Sequence, residues 1–421
     1  MRIIADLHVH SKYSRATSRD MTIPRIAEWA VRKGIGLVGT GDFTHPAHFA
    51  SIKELLEPDS NGLLKLKGKD LSVRFMLTAE VSNIYTQGGK VRKIHSLIFA
   101  PSIEAAGRMN AAFARLGNVA SDGRPIFGFS AIDLLRIVLD SSPDAMLVPA
   151  HAWTPWFSIF GSKSGFDSIG ECFGEYARHI HALETGLSSN PAMNRRLSCL
   201  DNITLISNSD AHSPSKLGRE ANVFDCNMDY AEIMSVIKTN DRKRFLYTVE
   251  FYPEEGKYHH DGHRDCGIAF SPDETKKAGG VCPVCNKPLT VGVLHRVSDL
   301  ADRPPGFEST RAVPARHLVP LEEIVAQSFD MGVSSKKVQH EYARLVKEAG
   351  SEFAILLDAS EDELVRLAGG KTAHGIICAR NGRLSIAPGF DGEFGKIRIF
   401  DKAETPTPTT ESTGARQERL F

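Results

Sequence analysis

The chain has 421 residues, 42% hydrophobic and 24% charged, with Lys plus Arg and Asp plus Glu equal at 51 each. That composition is ordinary for a soluble globular protein and that length exceeds one compact domain, while the balanced charge excludes polyanion binding by overall charge, so any nucleic-acid site must be a local patch. Seven Cys, four scattered and three clustered late, form no disulfide framework, no apolar signal segment opens the chain and no run approaches a membrane span; a reduced, cytosolic protein is expected.

From residue 1 to about 250, short apolar runs alternate with amphipathic segments, the pattern of β/α units. Ile3-Ile4-Ala5 leads into Asp6-Leu7-His8-Val9-His10. In a strand alternate side chains share a face, so Asp6, His8 and His10 should point into one site while Leu7 and Val9 pack. Neutral imidazole is a common metal ligand, and Asp6 is suited to accept its second ring N–H. A helix over 23–33, with Pro24 in its first turn and Gly34 at its end, precedes a buried strand over 35–40 that runs into Gly41-Asp42-Phe43-Thr44-His45. A strand over 73–79 ends at Glu80, and another over 93–99 carries His95. Helices over 103–116 and 131–139 lead to a strand over 145–149 and His151. A strand near 181–183 ends at Glu184, a helix covers 191–200, and a strand over 204–207 runs into Asn208-Ser209-Asp210-Ala211-His212. A parallel β/α barrel gathers its catalytic groups in this way, at or just past the C-terminal ends of its strands.

His8, His10, Asp42, His45, Glu80, His95, His151, Asp210 and His212 are therefore candidates for one crowded site. They are too many for one metal, and a His-rich set with carboxylates suits Zn²⁺, Mn²⁺ or Fe²⁺ better than Ca²⁺, in two or three copies. Two ions about 3.5 to 4 Å apart activate a water and clamp an in-line displacement at phosphorus, so phosphoester hydrolysis is the chemistry favoured.

Beyond residue 250 the composition changes. His263-x₂-Cys266-x₁₅-Cys282-x₂-Cys285 has the spacing of a tetrahedral structural zinc in a ribbon-like module, with His259, His260 or His295 as alternative fourth ligands. Such modules often grip nucleic acid. Helices over 321–329 and 336–349 come next, and Ser360-Glu361-Asp362-Glu363 is a capping box for a short helix stopping at Gly369. Residues 376–379 and 384–387, joined through Asn381-Gly382, should form a hairpin with a type I′ turn. Thr405-Pro406-Thr407-Pro408 opens a low-complexity tail ending in Gln417-Glu418-Arg419-Leu420-Phe421.

Asp6 to His10, Glu80 with His95, His151, and Asp210-Ala211-His212 resemble the motifs of the polymerase and histidinol phosphatase (PHP) superfamily, which implies a distorted seven-stranded barrel with a trinuclear metal site. Carried over by motif, His8, His10, Glu80 and Asp210 would hold one metal. Glu80 would bridge to a second held by His95 and His151, and His212 would help hold a third. The chain departs from that pattern at Arg15, where His is common, and at Thr40-Gly41-Asp42, which replaces Thr-Asp-His and leaves Asp42 and His45 as competing ligands of the third metal.

With the zinc module and the helical region after residue 320, the chain resembles endonuclease Q along almost its whole length. The resemblance implies a metal-dependent DNA-repair endonuclease that cuts on the 5′ side of uracil, hypoxanthine, xanthine and abasic sites. It implies Asp6, Glu80, Asp210 and His212 as catalytic residues, two or three Zn, Mn or Mg ions in the barrel and one structural Zn at His263, Cys266, Cys282 and Cys285. The parts would be a PHP barrel over 1–250, a zinc module over 251–300, a small α+β domain over 301–400 and a disordered tail over 401–421. Damage recognition requires a flipped base, and Trp153 and Trp156 beside His151, with Tyr13 and Arg15 after the HxH pair, are candidates to wall its pocket or hold the DNA. Gln417, Leu420 and Phe421 resemble the peptide by which bacterial repair proteins dock on the β sliding clamp. The expected partners are damaged DNA and that clamp, in a nucleoid-associated cytoplasmic protein with no membrane contact. The competing readings are a phosphatase of a small ester such as histidinol phosphate and a non-catalytic DNA-binding adaptor; neither a zinc module nor a clamp-like tail serves a small ester.

Overall fold

Ile3, Ala5 and Leu7 pack into one apolar cluster with Leu37, Met76, Leu97, Phe99, Met146, Val148, Ala182 and Ile206, while Ile4 and Val9 belong to a second, larger cluster that includes the surrounding helices. Period-two alternation therefore holds from Ile3 to Leu7 and slips before Val9, because the strand Arg2–Asp6 ends there. By that alternation Asp6 lies on the face of Ile4, where it meets Ser209 and Gly218, and past the strand end both His8 and His10 turn to Glu80 and Asp210.

The computed structural model describes residues 1–400; the tail carrying Gln417, Leu420 and Phe421 lies outside the described residues. The architecture is mixed α/β. Arg2–Asp6 pairs in parallel with Leu37–Gly39, and that strand in parallel with Arg74–Gln87. Between the first two runs the helix Ile23–Lys33, which buries Ile23, Ile26, Ala27 and Ala30. It closes at Gly34, whose φ of 85° lets its N–H reach Ala30 O and whose missing side chain leaves room for Ser351. Arg74–Gln87 then pairs antiparallel with Lys90–Ala100, which pairs antiparallel with Met146–Pro149. On the other side of the first strand stand Ala221–Asp225 and then Phe245–Glu250, both antiparallel. Ala182–Glu184 and Thr204–Ile206 form a parallel pair of their own. That pair is tied to both flanks through Ala152 N to Glu184 O at 2.9 Å and Ser207 N to Asn222 Oδ1 at 2.9 Å.

Four expectations about secondary structure need correction. Residues 73–79 and 93–99 are not strands of separate β/α units but parts of one long hairpin, turned by Gly88 and Gly89 at φ 62° and 72°. The helix opened by the Ser360 capping box does not stop at Gly369: it breaks there (φ 75°, ψ 163°) and resumes to Arg380. Residues 376–379 are thus helical, because Ala373, Ile376 and Ala379 recur at helical spacing and are buried. Asn381 and Gly382 terminate that helix, Arg383 N reaching back to Cys378 O at 2.9 Å, and the partner of Ser385–Ala387 is Lys396–Arg398. The helix expected over 191–200 is only Pro191–Asn194 and a separate 3₁₀ turn, Ser198–Leu200.

The segment after residue 300 is not free of the main sheet: Ala315–His317 pairs in parallel with Phe245–Glu250. Its helices are anchored on the N-terminal part through a buried ion pair, Lys33 Nζ to Glu352 Oε2 at 2.6 Å. Glu352 also accepts from Tyr342 OH at 2.6 Å and from Leu321 N at 3.1 Å. Among the described residues no helix is long and apolar enough to cross a membrane.

Removing one partner of a buried pair strands the other charge, at about 3 kcal/mol or more. Glu352→Ala should lower the melting temperature substantially, because it also strands Tyr342 OH and the Leu321 N–H. Lys33→Met should cost less, since Glu352 keeps two donors; equal melting temperatures for the two variants in scanning calorimetry would refute this anchoring.

Candidate metal centre

His8 and His10 are fully buried, and each ring is held from behind by a carboxylate. His8 Nδ1 lies 3.0 and 3.1 Å from the two oxygens of Glu184, and His10 Nδ1 lies 3.1 Å from Asp42 Oδ1. An ionised carboxylate only accepts, so Nδ1 donates and Nε2 of both rings faces inward. There Nε2 of His8, Nε2 of His10 and Oδ1 of Asp210 are buried without any hydrogen-bond partner. His10 Nε2 is 3.0 Å from Asp210 Oδ1 and 3.2 Å from Glu80 Oε2, and His8 Nε2 is 3.6 Å from each of those oxygens, close but misaligned for hydrogen bonds. Leaving a buried polar group unsatisfied costs about 1–3 kcal/mol, and a cation among these three would satisfy them together. The ligand atoms of His8, His10, Glu80 and Asp210 all lie within 4.8 Å of one another.

A second group shares Glu80. Its Oε1 is 2.8 Å from His95 Nδ1 and 3.0 Å from His151 Nε2, and these two nitrogens are 3.2 Å apart. Glu80 thus turns Oε2 to one group and Oε1 to the other, the arrangement of a bridging carboxylate.

The electrostatics suit cations. Burial pushes His8 down, but Glu184 and Asp210 outweigh it and raise its pKa well above the usual imidazole range. His10 is raised likewise, against burial, by Asp42, Asp210 and Glu80. Burial works to raise Glu80 and Asp210, yet His95 and Arg124 hold Glu80 well below the carboxylate range, and His8 and His10 do so for Asp210. Such a pocket holds protons where a divalent ion would bind, so binding should release them. Burial drives His95 down to about 4, leaving it a neutral ligand.

Three of the site residues have strained backbones: His151 (φ 29°), Asp42 (φ 42°) and Asp210 (φ 48°). Such conformations persist only where neighbours enforce them. For Asp210 that is the work of Asp6, which corrects the expectation that Asp6 orients a ligating His. Its oxygens accept from Ser209 N at 3.0 Å and Gly218 N at 2.9 Å, clamping the loop on either side. Burial raises Asp6 to about 6. The carboxylates behind the histidines are Glu184 and Asp42 instead.

Asp42 and His45 stand apart from both groups. Asp42 Oδ2 accepts from Ser11 N and Ser11 Oγ, both at 2.6 Å, and from Ser14 Oγ at 2.9 Å, so both its oxygens are committed. His45 Nε2 is 3.2 Å from Ala120 O and its ring stacks on Tyr13 at 4.4 Å. His212 stands at the rim, its ring 4.4 Å from that of His10 and its Nδ1 2.9 Å from Asp210 O. Two residues missing from the candidate set belong here: Glu184, visible only as one more carboxylate at a strand end, and Arg124, whose Nη1 donates to Glu80 Oε2 at 2.8 Å. Arg124 sits in an irregular loop and leaves no periodic signal.

Of the aromatic candidates, Trp153 is core: fully buried, it packs on Phe160 and donates to Asn194 Oδ1 at 2.8 Å. Trp156 is 41% exposed. With Thr154, Lys257, Tyr258 and His259 it lines a cleft of about 240 Å³, one residue of which, Thr154, also reaches His151 Nδ1 at 3.1 Å. Arg15 is exposed and pairs with Asp122 at 3.3 Å.

His263, Cys266, Cys282 and Cys285 form a third group within 4.8 Å. Each pair is followed by a tight turn with a positive φ, at Gly267 (64°) and Asn286 (56°). Of the alternatives, His295 is taken by Asp261 at 2.5 Å, and His259 and His260 stack on each other.

Residues 320–383 match the family model of the MJ0043 C-terminal domain. The uncharacterized protein YqxK of Bacillus subtilis (strain 168) is 31% identical over 412 residues, 94% of this chain and 99% of the relative. The crystal structure of the lesion-specific endonuclease PfuEndoQ from Pyrococcus furiosus is similar with a TM-score of 0.84 and 31% identity, over 95% of this chain and 96% of that one. Endonuclease Q in complex with a 27-mer duplex carrying an abasic lesion at the active site is similar with a TM-score of 0.82 and 31% identity, over 95% and 97%.

Loss of a carboxylate behind a ligating His typically weakens metal binding about 10–100-fold. Glu184→Gln should therefore reduce Mn²⁺ affinity by that factor in calorimetric titration; undiminished affinity would show that His8 needs no orientation.

Proposed function

The chain belongs to the endonuclease Q family, and on that premise we propose that it is a metal-dependent endodeoxyribonuclease cutting the phosphodiester 5′ to deaminated bases (uracil, hypoxanthine, xanthine) and to abasic sites. The observation that carries this reading is the sharing of Glu80 between two groups of inward-facing ligand atoms. Support for a distorted seven-stranded barrel comes from the inner apolar cluster, to which strands all round the sheet contribute.

His8, His10, Glu80 and Asp210 would hold one divalent ion, and Glu80, His95 and His151 a second; bound there, the ions would supply Lewis acidity for attack of water on phosphorus and departure of the 3′ oxygen. Glu184 and Asp42 keep His8 and His10 in the tautomer that turns Nε2 to the ions. His212 contributes a proton acceptor: its Nδ1–H is committed to the Asp210 carbonyl, its Nε2 is left as a base, and burial and His10 lower its pKa below the usual imidazole range. The exposed Trp156 and its cleft suit the face of an extruded base, while Trp153 holds the loop from beneath. His263, Cys266, Cys282 and Cys285 would hold a structural zinc whose ribbon-like module grips DNA beside that cleft.

Labelled duplexes carrying uracil, hypoxanthine, xanthine or an abasic site, incubated with Mg²⁺, Mn²⁺ or Zn²⁺, should be nicked on the 5′ side of the lesion, and Asp210→Asn should lose that activity. Hydrolysis of a chromogenic phosphate monoester with every duplex left intact would instead establish a phosphatase.

The tail would dock on the bacterial β sliding clamp, Leu420 and Phe421 filling an apolar pocket. Deleting both should abolish capture on immobilised clamp and leave nicking of a short oligonucleotide unchanged; retained capture would end this assignment.

A further inference from the structure

The motif pattern implies a third ion that His212 would help hold, with Asp42 and His45 as competing ligands; those two are engaged elsewhere, His212 is left with one free ring nitrogen, and the residues present do not fit such an ion. Asp42 has both oxygens occupied by His10 Nδ1, Ser11 and Ser14. The space in front of its Oδ2 is also filled: a Cβ on Gly123 would come within 2.3 Å of both Asp42 Oδ2 and Ser14 Oγ, so the backbone of the 121–125 loop is packed onto the carboxylate. His45 is turned toward Ala120 O beneath Tyr13, leaving one ring nitrogen and no second ligand.

The same loop delivers a positive charge. Gly123 N donates to Tyr13 O at 3.0 Å, Gly123 O accepts from Thr44 Oγ1 at 3.1 Å, and Pro125 O accepts from Ser82 N at 3.0 Å. Asp122 adds a fourth tie, accepting from Arg124 N at 3.1 Å and pairing with Arg15. Between these ties Arg124 projects to Glu80, Nη1 to Oε2 at 2.8 Å. Its side chain is 24% exposed while that of Glu80 is fully buried, so the guanidinium lies on the open side of the shared carboxylate. Among the described residues that contact is its one hydrogen bond, and the other guanidinium N–H groups are free to meet an anion.

We propose that Arg124 takes the place of a third ion: the centre holds two metal ions and one guanidinium, and the guanidinium binds a non-bridging oxygen of the scissile phosphate. The proposal deepens the nuclease reading and rests on it for the identity of the phosphate. Arg124 shares the neutralisation of Glu80 with the ions and meets the charge that develops on phosphorus, where a positioned donor contributes about 10²–10³ in kcat.

Elemental analysis of the purified full chain should give three metal ions per chain, two for the barrel and one for His263, Cys266, Cys282 and Cys285; four would overturn the proposal. Arg124→Ala should keep all three ions, weaken inorganic phosphate binding at least tenfold in calorimetry, and lower kcat for nicking by about 10²–10³, part of it restored by added guanidinium. Arg124→Lys, which keeps the charge without the fork, should fall between the two and guards against a folding defect in the alanine variant. Loss of an ion from Arg124→Ala, or undiminished phosphate binding, would overturn the proposal. The ion count and phosphate binding need no DNA, so a parent chain that leaves every lesion duplex intact would refute the nuclease reading and still leave Arg124 judged by those two measurements.

Discussion

A single buried carboxylate organises this molecule. Glu80 is 1% exposed, and an isolated ionised group at that depth would be prohibitively costly. It stays charged because His10 and Arg124 face one of its oxygens while His95 and His151 face the other. That demand explains features that otherwise look unrelated. The long hairpin places Glu80 and His95 on adjacent arms, the strained loops at His151 and Asp210 bring in further candidate ligands, and the 121–125 loop supplies the guanidinium.

The support behind the ligands obeys the same logic. Glu184 serves twice, accepting from His8 and from the backbone N–H of His151 at 2.8 Å, so one side chain positions ligands of both groups. Asp6 and Asp42 each receive hydrogen bonds on both oxygens, which pins the loops carrying Asp210 and His10. A centre assembled from far-apart segments must be rigid to hold its geometry, and the C-terminal helices, locked on through Glu352 and Lys33, brace the helix next after the first strand.

Much of this is legible in the chain because strand ends advertise themselves. His8, His10, Glu80, His95, His151 and Asp210 all stand at or just past the end of an apolar run or within one, and the structure brings all of them together. Asp42 and Asp6 look like chemistry of the same rank, because a sequence does not distinguish a carboxylate that meets a metal from one that holds the residue that does. Arg124 is invisible for a different reason: it arrives on a loop whose course is set by three tertiary hydrogen bonds, an ion pair of Asp122 with Arg15 and the close approach of Gly123 to Asp42. The hairpin escapes a sequence reading because its arms, each buried along most of its length, resemble the core strands of a parallel sheet, and the helix to Arg380 seems shorter than it is because a glycine break looks like an end.

Anomalous diffraction from crystals soaked in Mn²⁺ bears most directly on the claim that Glu80 joins two cation sites. Two peaks should appear, one among His8, His10, Glu80 and Asp210 and one among Glu80, His95 and His151. A single peak, or density centred on Asp42 and His45, would contradict it.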